Sequence, residues 1–161
     1  MNFFSQLSME GVTGAMEVFE GNRNITPALR HENIALSASK LSSLKETREN
    51  LIAFQRGLVN DYGLIADGRD MGTVVFPDAA TKIFLIADIE VRAERRFLEL
   101  QKAGQGVNMR DLIEDIRLRD EADRAREISP LVPAADSVEV NSSNLTPQEV
   151  LNKVLQIYKE H

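Results

Sequence analysis

The chain has 161 residues, a net charge of −6 and 43% hydrophobic residues, which fits one domain with a small lobe attached and argues against a general nucleic-acid surface. It has no cysteine, so disulfides and thiolate metal sites are excluded, and its two histidines, His31 and His161, cannot build a histidine cage. No apolar run reaches the roughly 18 residues a membrane span needs and no signal-peptide pattern is seen, so the expectation is a cytoplasmic protein with no membrane partner.

Residues 1–25 read as a small β unit. Phe3-Phe4 and Glu17-Val18-Phe19 are strand candidates, and Gly11, Gly14 and Glu20-Gly21-Asn22 are turn candidates. Thr26-Pro27 reads as an N-cap followed by the first helical residue, opening a helix to about Leu41. Its small residues Ala35, Ser37, Ala38 and Ser39 suit either tight helix packing or the close approach of a ligand. Ser43-Leu44-Lys45-Glu46 has capping-box spacing, and a helix from Leu44 to about Arg56 follows, with Gly57 past its end. Arg48 and Gln55 fall near the centre of its apolar stripe of Leu44, Leu51, Ile52 and Leu58. A buried arginine there needs a carboxylate or a ligand, with Asp70 a candidate partner; the alternative is a side chain that reaches the rim.

Gly63-Leu64-Ile65-Ala66-Asp67-Gly68-Arg69-Asp70-Met71-Gly72-Thr73 is the stretch around which the chain is organised. The apolar run Leu64–Asp67 reads as a buried strand bounded by glycines. Open α/β sheets place ligands at the carboxyl ends of such strands. Arg69 and Asp70 there form either a phosphate-sized cation beside an acceptor, or a salt-bridged turn.

Thr81–Ala87 is nearly continuously apolar and reads as a second strand, buried on both faces. A helix from about Val91 to Lys102, ended by Gly104, follows. Asn108 caps a further helix from Met109 to Arg126. Ser137–Asn141 is a third strand, and Thr146-Pro147-Gln148-Glu149 opens a closing helix with Val150, Leu151, Val154 and Leu155 on one side. Strands alternating with helices give an α/β fold with a mainly parallel sheet flanked by helices.

In the arginine-rich segment 117–126, Arg119, Asp123 and Arg126 are spaced to share one helix face. The apolar anchors Leu112, Ile113 and Ile116 stop earlier, so the last two turns are expected to project from the core as a lid. Converging guanidinium groups suit phosphate oxygens. The plainer alternative is a solvated helix laced with pairs such as Asp115–Arg119 and Asp120–Arg124.

Gly63–Thr73, Phe76-Pro77-Asp78-Ala79, Arg119–Arg126 and Pro130-Leu131-Val132-Pro133-Ala134-Ala135-Asp136 closely resemble bacterial cytidylate kinases. Glu20-Gly21-Asn22, Ile25-Thr26 and Arg30 also resemble the small three-stranded insert of that family. The resemblance spans about residues 17–160. It implies a P-loop kinase-like fold and transfer of the γ-phosphoryl of ATP to CMP or dCMP with Mg²⁺. Ser39, Arg48 and Asp70 match positions that read the cytosine edge, and Asp123 matches the residue that holds the sugar hydroxyls. Arg69, Arg119 and Arg126 match arginines that gather round the phosphates, and Asp67 resembles a carboxylate linked to Mg²⁺ through water. The resemblance also implies a CMP-binding insert over 1–60 and an α/β core over 61–161, with a lid over about 105–130.

The family's G-x-x-x-x-G-K-[ST] loop, whose backbone N–H groups cradle phosphates, does not occur in the 161 residues. The chain therefore reads as the C-terminal portion of the kinase, with little or no activity alone and an exposed sheet edge open to self-association. The alternatives from other classes are a non-catalytic nucleotide-binding module and an α/β interaction domain.

Overall fold

The computed structural model describes residues 7–12, 15–29, 34, 37–38, 40–41, 44–102 and 104–160. They divide into two compact units, residues 1–51 and 52–161.

The first unit carries an antiparallel meander of β1 (Leu7–Val12), β2 (Ala15–Glu20) and β3 (Arg23–Asn24). β1 and β2 are in register from Leu7 opposite Glu20 to Val12 opposite Ala15. The expected strand at Glu17-Val18-Phe19 lies inside β2, and the turn at Gly21 takes a positive φ of 57°. Gly11 is not a turn: it lies within β1, opposite Met16. Phe3, Phe4, Gly14 and Arg30 lie outside the described residues.

Thr26 departs from its expected role. The short helix α1 runs over Thr26–Leu29, but the Thr26 hydroxyl accepts from the Val18 N–H at 2.7 Å. It extends the edge of β2 instead of capping a helix, while the Asn24 side chain accepts from the Thr26 N–H at 2.9 Å. Of the helix expected to about Leu41, residues 34, 37–38, 40 and 41 are described, and they are helical. Helix α2 (Lys45–Arg56) follows as its spacing predicts, and the Gly57 N–H closes it on the Ala53 carbonyl.

In the second unit β4 (Ile83–Ile86) and β5 (Val138–Asn141) pair in parallel, Ile83 opposite Val138 through Ile86 opposite Asn141. A parallel pair needs a long crossover, supplied here by α3 (Ile89–Lys102) and α4 (Met109–Arg124). Helix α5 (Pro147–Glu160) closes the chain. Val75, Ala93, Val140 and Ile157 are its buried apolar side chains among the described residues.

Several expectations are corrected. Leu64–Asp67 is not a strand: it has no regular structure, and Ile65 is 99% exposed. Strand propensity is realised only through a ladder, and β4 pairs with β5 alone among the described strands. β4 is not buried on both faces either, since Leu85 is 56% exposed. Helix α4 stops at Arg124, with Ala125 as its C-cap, so Arg126 lies beyond it. On α5 the inward positions are Val150, Val154 and Ile157, whereas Leu151 and Leu155 are exposed. The helix centres its face on the buried Ile157 at i, i+4, i+7 spacing.

The two predicted caps of this unit are present. The Asn108 side chain accepts from the Arg110 N–H at 2.8 Å. Thr146 and Glu149 form the reciprocal box: the Thr146 N–H and hydroxyl donate to Glu149 Oε2 at 2.8 and 2.7 Å, and the Glu149 N–H donates to Thr146 Oγ1 at 3.3 Å. Those bonds hold the Glu149 carboxyl below its ordinary pKa of 4.5.

Candidate functional site

The site is built on the segment that follows the unpaired Leu64–Asp67. Gly68 lies close under the Met71 side chain: a Cβ there would sit 3.0 Å from Met71 Cγ. The chain then makes a single π-type turn over Met71–Val75. The Val74 and Val75 N–H groups both donate to the Asp70 carbonyl, at 2.9 and 3.2 Å. Arg56 fastens this turn to the end of α2, donating through Nε to the Val75 carbonyl at 2.7 Å and through Nη2 to that of Val74 at 3.0 Å. Sequence reasoning passed over Arg56, whose only sign was a basic residue in a last helical turn.

Arg69, two residues before this turn, donates through Nε to Asp123 Oδ2. Asp123 lies in the last turn of α4 and is 1% exposed. Arg126 approaches the same carboxylate at Oδ1 as an ion pair, without the angle of a hydrogen bond. A buried carboxylate is costly without such partners, and here it gathers two guanidinium groups from segments 54 and 3 residues away in sequence. Arg119, one helical turn before Asp123, is exposed and makes no ion pair with a described residue.

The turn after α4 holds this arrangement. Ser129 takes a left-handed φ of 54° and is buried, and the Leu131 N–H then donates to the Asp123 carbonyl at 2.9 Å. Arg126 thus reaches Asp123 from the turn, although the even spacing suggested one continuous helix.

Neither expected surface pair forms. Asp120 is held by Arg92 of α3, through Nη1 at 3.1 Å and Nη2 at 2.6 Å, while Arg92 Nε donates to the Ala87 carbonyl at 3.1 Å. This bidentate clamp ties Asp120 to α3, and Asp123 is buried in the last turn of α4. Part of the helix does follow the plainer reading. Arg117 donates to Glu114 at 2.6 and 2.9 Å and to Glu121, all exposed, and holds the Glu114 carboxyl below its usual range.

Of the remaining candidates, Asp70 is buried at the head of the π-type turn. Asp67 is exposed. Arg48 is half-buried on α2 and engaged, and belongs to the first unit. Ser39 lies outside the described residues. Among the described residues no three His, Cys, Asp or Glu side chains gather to hold a metal ion, and no helix is long and apolar enough to cross a membrane.

The model of the cytidylate kinase family matches residues 1–160. The chain belongs to the cytidylate kinase family. It is 42% identical over 154 residues to the cytidylate kinase of Caldicellulosiruptor saccharolyticus, covering 96% of this chain and 68% of that protein. It is 46% identical over 141 residues to that of Marinomonas sp., covering 88% and 62%, and 44% identical over 147 residues to that of Enterobacter sp., covering 91% and 65%. The chain thus spans about two thirds of the length of these cytidylate kinases. Its α/β elements accord with that family.

Proposed function

We propose that this chain supplies the acceptor-nucleotide site of a cytidylate kinase, taking CMP or dCMP for phosphoryl transfer from ATP. The reading rests above all on Asp123, buried between Arg69 and Arg126. A carboxylate offers about four lone-pair positions. After serving two guanidinium groups, Asp123 keeps spare lone pairs, which sugar hydroxyls would reach once Arg69 or Arg126 shifts from over the buried carboxylate. Arg69 uses Nε alone, and its side chain is 39% exposed, so its Nη groups remain for a bidentate grip on phosphate.

Arg119 and Arg126 are the other proposed catalytic arginines. Phosphoryl transfer spreads negative charge over the non-bridging oxygens, and a cation already fixed in place, as Arg126 is by Asp123, stabilises it without reorganising, whereas the exposed Arg119 would have to close on the phosphates. Ser39, Arg48 and Asp70 are the proposed readers of the cytosine edge, supported by family membership and by the buried position of Asp70. Residues 1–60 are proposed as the CMP-binding insert and about 105–130 as the lid. Mg²⁺ would accompany ATP and neutralise phosphate charge. Asp67, an exposed carboxylate, is proposed to reach Mg²⁺ only through a bound water.

The 161 residues contain no G-x-x-x-x-G-K-[ST] loop to grip donor phosphates. For this polypeptide the proposal is binding of CMP with little or no turnover. Calorimetry with CMP, run beside a coupled assay with ATP and Mg²⁺, tests it. Saturable CMP binding that is lost in Arg48→Ala and Asp70→Ala supports the reading. Absence of CMP binding by the folded chain overturns it in favour of an α/β interaction domain, and rapid turnover overturns the limit on activity.

A further inference from the structure

We infer that Lys82 is a positioning residue for the arginine–carboxylate cluster, acting through Asp136. The inference rests on the proposed phosphate-gripping role of Arg69. Lys82 immediately precedes β4, and its side chain is 7% exposed, an unusual burial for an ammonium group. The ammonium forms an ion pair with Asp136, whose own side chain is 65% exposed.

Two segments of the candidate site meet at this one side chain. On one side, the Lys82 stem lies against Gly72: a Cβ added there would sit 3.4 Å from Lys82 Cδ and 3.5 Å from Cγ. Gly72 belongs to the π-type turn that begins on the Asp70 carbonyl, directly after Arg69. On the other side, Asp136 ends the segment 129–136, whose Leu131 N–H is bonded to the Asp123 carbonyl at 2.9 Å. Pro130 and Pro133 stiffen that segment. The Ser137 N–H and hydroxyl donate to the Ala134 carbonyl at 3.0 and 2.7 Å, turning the chain so that Asp136 is presented to Lys82. The Val138 N–H then donates to the Lys82 carbonyl at 2.9 Å and starts the β4–β5 ladder.

The connections close a ring. Arg69 meets Asp123, Asp123 holds Leu131, the segment leads to Asp136, Asp136 pairs with Lys82, and the Lys82 stem braces the turn after Arg69. In this ring the Arg69–Asp123 and Lys82–Asp136 links are the ones between side-chain charges of described residues. Removing the second takes the charged tether from the 129–136 segment, which keeps its Leu131 and Val138 backbone bonds, and leaves the end of the Lys82 stem beside Gly72 unfixed, while Arg56 still holds the Val74 and Val75 carbonyls, so Arg69 is aimed less tightly. Lys82 therefore touches no substrate group in this scheme and acts through the placement of Arg69.

The test uses Lys82→Met, which keeps the stem and removes the ammonium, Asp136→Asn at the exposed partner, and Asp136→Glu as the conservative control. Pyrophosphate and CMP binding are measured by calorimetry on the full chain. The Arg69 Nε–H signal is followed by nitrogen-edited NMR, assigned with Arg69→Lys. Expected is a roughly tenfold loss of pyrophosphate affinity in Lys82→Met and Asp136→Asn. Asp136→Glu should retain affinity, and the Arg69 Nε–H should exchange faster with water in the two weakened variants. Parent-like affinity together with an unchanged Arg69 signal, in variants that still melt cooperatively, overturns the inference and leaves Lys82 a purely structural residue. If Lys82→Met does not fold, Asp136→Asn at the exposed position decides alone. A parent chain that binds no CMP counts against the proposed function, whereas the Arg69 signal still tests the positioning.

Discussion

Asp123→Asn keeps the size of the buried side chain and removes the charge that Arg69 and Arg126 share. The amide has one acceptor oxygen, and its NH₂ group faces guanidinium donors, so at least one of the two contacts is lost. Removing one partner of a fully buried ion pair costs about 3–5 kcal/mol. Here the arginine side chains are 39% and 14% exposed and recover part of their hydration. The expected loss is therefore about 2–3 kcal/mol. For a unit the size of residues 52–161, each kcal/mol moves Tm by roughly 4 °C, so the variant is expected to melt roughly 8–12 °C below the parent. Circular-dichroism melts at neutral pH measure this, and a double-mutant cycle with Arg69→Met isolates the pair, with an expected coupling of about 1–2 kcal/mol. A Tm within about 2 °C of the parent, together with a coupling near zero, would refute the burial of a shared carboxylate.

Arg92→Lys cannot reproduce the two-pronged hold on Asp120, and denaturant unfolding should show it less stable by about 1 kcal/mol. Val140→Ala removes two methyl groups from a fully buried position of β5, with an expected loss of about 2 kcal/mol in the same assay. Arg117→Ala breaks only exposed pairs to Glu114 and Glu121, so its melting temperature should match the parent. The lowered pKa of Glu149 carries a definite sign. Its stabilisation is present above the ordinary carboxylate pKa of 4.5 and is lost as pH falls through the lower folded value. Thr146→Ala should lower Tm by a few degrees at neutral pH and flatten that acid limb, which melts from neutral to acidic pH would reveal.

Local signals carried in the sequence were sufficient for most elements. Asn108, and Thr146 with Glu149, start helices because a cap depends on residues three or four positions apart. β2, α2 and α3 follow in the same way from period and punctuation. The family was also legible, because Gly63–Thr73 and Arg119–Arg126 resemble its motifs, and the family model matches residues 1–160. Tertiary structure decided what local pattern cannot encode. Leu64–Asp67 has strand composition, yet a strand exists only where another chain segment completes its ladder, and none of those described does so. The partners of Asp120 and Asp123 were equally hidden. Helical spacing offered Asp120 an arginine four residues on, but packing supplied Arg92, 28 residues back, and Arg69 reached Asp123 across 54. Spacing along a chain ranks near neighbours, whereas a buried charge takes whichever counter-charge the fold brings into contact.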